Sequence, residues 1–177
     1  MSINRYVKDY RLIEEFDAKG HLRTTYKYIG KDWYYVFPKE QVVPAKIRCT
    51  AACAVSWILF VTALVPVSSS MHTLYIALPF AFTALAAGLL TQVVVTVFRT
   101  KEPMEHRHAD RLNVRIPLSA VLLMAFAGIS LLGVLVNLIR GIELTAGDAV
   151  FIPCAAALVL CGCFVFFQRK PLSMEER

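Results

Sequence analysis

The sequence predicts an all-α integral membrane protein: a four-helix transmembrane bundle preceded by a small N-terminal antiparallel β-meander. Three observations carry that prediction. Of the 177 residues, 57% are hydrophobic and 18% are charged, whereas an ordinary soluble domain is about 45–50% apolar and about 25% charged. The charge is crowded at one end, with ten of the nineteen Lys and Arg in residues 1–48. Beyond that point, four apolar runs each reach the roughly 20 residues that a helix needs to cross a hydrocarbon core.

The N-terminal segment, 1–46, reads as strand rather than helix. "RYVKDYRLIEEF", "HLRTTYKYIG" and "WYYVF" follow one another, separated by Asp17–Gly20 and by "KD". Asp at the start and Gly at the end of the first connection suit a tight turn. In the second run Leu22, Thr24, Tyr26 and Tyr28 share one face, with Arg23, Thr25 and Lys27 on the other. In the third run Trp33, Tyr35 and Phe37 alternate likewise. A three-stranded meander follows. Such a sheet is marginal alone, so its aromatic face is expected to lean on the membrane interface, the helix ends or a partner. Its basic residues would be drawn to anionic lipid.

The four spans are expected at about 47–67, 73–98, 116–139 and 149–168, leaving 169–177 as a tail. The first is entered after Pro44, and the second carries Pro79. Pro117 and Pro153 are expected in first turns, where a missing N–H costs little. "VPVSSSMH" is a short uncharged link between spans one and two. In "RGIELTAGD", Gly141 suits a helix C-terminus, and Thr145 with Asp148 has capping-box spacing.

Taken in chain order, the segments outside the spans hold ten, none, five, one and three Lys and Arg. Basic residues stay in the cytoplasm, so cytoplasmic N- and C-termini put eighteen of the nineteen on one side. The net charge of +6 then reads as a topology signal, and no nucleic-acid partner is expected. The first apolar run begins near Ile47, too late for a secretory signal peptide. The layout resembles that of small four-span bacterial membrane proteins, in architecture alone. No motif carries the resemblance, and no residue role is transferred from it. The expected location is a cell membrane.

No Lys, Arg, Asp or Glu lies in the interior of a predicted span. Proton-coupled transporters and voltage sensors carry such groups, so both readings lose support. The intramembrane polar residues are Gln92, flanked by Thr91 and Thr96, and Asn137. They fall toward opposite sides of the membrane and read as separate interhelical hydrogen bonds. Ala77, Ala81, Ala84 and Gly88 form a small-residue stripe suited to close helix packing, within the bundle or between protomers. The five cysteines lie in or beside apolar runs and read as packing residues. Cys49, beside Arg48 at a membrane boundary, is also a candidate for lipidation.

"RTKEPMEHRHADRLNVR", Arg99–Arg115, is the polar stretch between spans two and three. On a helix, Glu105 with His108, and His106 with Asp110, would share a face and form a weak metal candidate. The competing reading is a wet loop with local ion pairs. The chain has no HExxH, no Cys-x-x-Cys and no Gly-rich phosphate loop, so neither a metal, a cofactor nor a reaction is expected. The functional expectation is a non-enzymatic accessory or interaction subunit of a membrane complex, with a protein partner or a second copy bound. The alternative is a small-solute channel or transporter acting as an oligomer.

Overall fold

The computed structural model describes residues 7–16, 22–66, 68–99 and 104–176. The four apolar runs lie in α1 (Lys39–Leu64), α2 (Leu74–Arg99), α3 (His106–Ile139) and α4 (Ala146–Gln168). All four are long and apolar enough to cross a membrane, yet only 28–39% of each one's most apolar window is buried within the protein. Ile58, Val61, Leu85, Leu132, Leu160 and Phe167 are among the large apolar side chains that remain exposed. A helix of a soluble bundle turns a polar face outward. Here the outer face is as apolar as the core, which suits a lipid surround.

Each helix packs on two neighbours: α1 on α2 and α4, and α3 on α2 and α4. The apolar core falls into two stacked clusters. One, toward the ends bearing both termini, gathers Val42, Leu90, Val93, Leu112, Ile116 and Val165. The other gathers Ile76, Phe80, Leu123, Phe151 and Leu158. Two glycines set the closeness of α3 to its neighbours. A Cβ at Gly133 would stand 2.6 Å from Ile76 Cγ1. One at Gly162 would stand 2.5 Å from Met124 Cγ and 3.0 Å from the Ala120 carbonyl oxygen.

The helices begin earlier than the apolar runs. α3 is 34 residues long, or about 51 Å at 1.5 Å per residue, well beyond a hydrocarbon core. Its start at His106 makes most of the expected wet loop a helical extension. Pro44, Pro117 and Pro153 consequently lie inside helices rather than before them or in first turns. The reason at α4 is its cap: Thr145 and Asp148 form the expected capping box, and that fixes the helix start ahead of the apolar run. At the end of α3, Gly141 adopts φ +75°. Its N–H donates to the Leu138 carbonyl, and Ile142 N–H to that of Asn137, the arrangement expected of a glycine just past a helix end.

The sheet differs from the expected meander. β1 (Tyr10–Phe16) and β2 (Leu22–Tyr28) pair antiparallel, with Tyr10 opposite Tyr28 and Leu12 opposite Tyr26. The turn expected at Asp17–Gly20 lies outside the described residues. β3 (Trp33–Tyr35) does not join β2; it pairs with β4 (Met174–Glu176) at the C-terminus. The cause is edge occupancy. Trp33 also bridges Met104 by two backbone hydrogen bonds of 3.0 Å, so both its edges are taken. The tail is held there by Asn113, whose side-chain amide donates to the Met174 carbonyl and accepts from its N–H, both at 3.2 Å.

Candidate functional site

The start of α3 is where the chain gathers chemistry-bearing side chains. Glu105 is the extended residue before the helix, with φ −67° and ψ 142°, and His106 is the first helical one. The β1–β2 hairpin docks on both. Tyr10 donates its hydroxyl proton to Glu105 Oε2 at 2.5 Å. Asp9 Oδ2 lies 3.1 Å from His106 Nδ1. The His106 backbone N–H, which a helix's first turn leaves unpaired, donates to the Tyr28 hydroxyl at 3.0 Å. That hydroxyl in turn donates to the Lys31 carbonyl at 2.7 Å. Gly30 permits this fold-back, since a Cβ there would come within 2.6 Å of the Tyr28 hydroxyl. Trp33 lies flat on the His106 ring, 5.1 Å between centroids and 6° between planes.

Burial raises the Tyr10 phenol to about 12, helped by its hydrogen bond to the Glu105 carboxylate. Tyr28 is also raised, chiefly by burial, against the opposing His106 N–H. Both phenols therefore stay protonated at neutral pH and act as donors.

The candidate metal residues behave as separate pairs. His108 Nε2 lies 3.9 Å from Glu105 Oε2, and His106 Nδ1 lies 3.1 Å from Asp9 Oδ2. Among the described residues no three His, Cys, Asp or Glu side chains come together as a metal-binding group. Glu105 and His108 are brought together as the helical spacing implied. His106 is met by Asp9, just before β1. A carboxylate–imidazole pair can move protons, but here Trp33 covers one face of the ring and the half-buried contacts act as a clamp.

The polar residues of the spans are each locally satisfied. Gln92 Oε1 accepts from Arg115 Nη1 at 2.9 Å on the bundle's exterior. Asn137, 1% exposed, accepts the Tyr75 hydroxyl proton and sits 3.5 Å from Thr73 Oγ1. Ser56, Thr83, Ser119 and Ser130, the buried hydroxyls of the helices, each donate to a carbonyl of their own helix. The stripe Ala77, Ala81, Ala84 and Gly88 lies outside the core: Ala81 is exposed, and a Cβ at Gly88 would touch nothing within 4 Å. Cys49 is 3% exposed and packs in the core, which withholds its sulfur from acylation.

Sequence reasoning did not find Asp9, Tyr10, Tyr28 and Trp33 as partners of this helix start. It also missed a second polar knot, at the opposite end. There Asp148, wholly buried, accepts from the Ser68 hydroxyl, the Ser70 N–H at 3.2 Å, and the Thr145 N–H and hydroxyl at 2.7 and 2.8 Å. Its capping role was legible from spacing; its grip on the α1–α2 link was not.

No protein-family model matches the chain, and no curated protein or solved structure is similar to it. Function therefore rests on the geometry alone.

Proposed function

We propose that the protein is a non-enzymatic accessory subunit of a membrane complex, with both termini cytoplasmic. One observation carries the reading: a hairpin anchored at its base leaves an apolar strip outward. Tyr10 and Tyr28 tie the hairpin to α3, while their strand neighbours Leu12 and Tyr26, paired across the ladder, are 51% and 70% exposed. Aromatic side chains on a rigid, partly polar element are the usual anchors of protein interfaces. The bundle itself supports the same reading, because its buried hydroxyls are spent on its own carbonyls and leave little to line a pore.

The oligomeric channel or transporter is favoured by a different feature. The Arg115–Gln92 pair and the exposed Ala81 lie on the outer surface, where a polar path could form only between protomers.

Purification in mild detergent, followed by mass spectrometry of co-purifying chains, tests the reading. A partner lost on Tyr26→Ser and Leu12→Ser substitution supports it; a monodisperse monomer with no partner overturns it. Tag accessibility tests the topology separately, with residues 99–115 expected on the cytoplasmic side.

A further inference from the structure

At the end of the bundle bearing both termini, a cleft of about 490 Å³ opens between the start of the apolar part of α3 and the residues that follow α4. Its lining joins the apolar Phe37, Leu112, Ile116, Pro117 and Leu172 to the polar Asn113 and Ser173 and to two cations, Arg169 and Lys170. These residues mark a membrane boundary by themselves. Ile116 opens the apolar run of α3, and Arg169 directly follows the last residue of α4. Apolar side chains and two cations therefore meet at one membrane boundary, where a lipid's acyl chain and headgroup also meet.

The two cations are placed for an anion from outside the chain. The Arg169 guanidinium sits over the Phe166 ring, 3.9 Å from its centroid, which holds it at the boundary. Among the described residues neither Arg169 nor Lys170 has a carboxylate partner. Basic residues at this depth attract anionic headgroups by about 1 kcal/mol each, and the volume is that of an ordinary small-ligand site.

We infer that this cleft binds one anionic phospholipid, its phosphate held by Arg169 and Lys170 and its upper acyl chain passing over Pro117. The inference rests on the membrane reading of the bundle but not on the accessory role or on any partner.

Native mass spectrometry of the detergent-solubilised full chain tests it, with phosphatidylglycerol, phosphatidylcholine and inorganic phosphate added in turn. One tightly retained phosphatidylglycerol is expected, with phosphatidylcholine bound more weakly. The double variant R169Q/K170Q should weaken phosphatidylglycerol roughly thirtyfold. Lys170→Glu alone, at an exposed side chain, should weaken it without disturbing the fold. R48Q/R99Q removes the same charge at the same end of the bundle and should leave retention unchanged. Equal retention of the two lipids, or an equal loss in R48Q/R99Q, would overturn the site. Displacement of the lipid by inorganic phosphate would overturn the lipid as its occupant.

Discussion

The two ends of the bundle hold their polar groups in different ways. Where α1 meets α2 and α3 meets α4, Asp148 is wholly buried and accepts from four donors contributed by Ser68, Ser70 and Thr145. Beside it, Asn137 is buried against Tyr75 and Thr73. At the opposite end His106, Glu105, Asp9 and Tyr10 are half-buried, and the side-chain contacts run mostly pair by pair. A buried acceptor stripped of water is costly unless all its bonds are made. Its site is therefore rigid and intolerant. Half-exposed pairs gain less and lose less, because water can replace a missing partner. One end closes the bundle, and the other presents a surface that can change without unfolding it.

The largest expected effect breaks the first end. Asp148→Ala leaves four donors without their acceptor and removes the α4 cap, so it should cost about 3 kcal/mol, read as a lowered midpoint of thermal unfolding in detergent. A loss no larger than that of a surface substitution would show that water satisfies the knot.

Gly162→Leu comes next and bears on the packing between the ends. Its side chain must displace Met124 and meet the Ala120 carbonyl, at about 1–3 kcal/mol for an overpacked site. The same substitution at Gly88, which faces open space, should be tolerated, and the pair compared by unfolding separates core from exterior.

At the sheet end the effects should be local. Gly30→Ala pushes the Tyr28 hydroxyl off the His106 N–H and the Lys31 carbonyl. Amide exchange in β1 and β2 should quicken while α1–α4 stay protected, with global stability changed by less than about 1 kcal/mol. Uniform deprotection of the helices would mean that the two ends are not independent.

The smallest effect concerns pH. Tyr10 ionises at 10.0 in an exposed setting and at about 12 when docked. The docked form thus holds its proton more tightly, so this contribution is intact below pH 10.0 and fades as pH rises toward about 12. Ultraviolet titration should show late-ionising phenols, with one of them lost in Tyr10→Phe.

Much of the fold was legible because it rests on local rules. Run length and hydropathy mark the four helices, a glycine at 141 ends α3, and Thr145 with Asp148 starts α4. Helix starts were less legible, since polar residues such as His106–Arg115 continue a helix as readily as they leave it. β3 was misassigned because three residues, Trp33–Tyr35, carry no register information about which edge they will pair. The candidate site was half legible. Glu105 and His108 sit together by helical spacing, whereas Asp9–His106 and Tyr10–Glu105 join positions 97 and 95 residues apart.

The sequence by itself determined that the chain is a set of four apolar helices with polar ends, because burying that much apolar surface admits few solutions. Only the tertiary structure decided which polar groups meet. That β4 closes on β3, that Asp148 reaches back to Ser68, and that Arg169 and Lys170 share a cleft with Phe37 and Pro117 are contacts between distant segments, set by how helix ends come to rest and written in no local pattern.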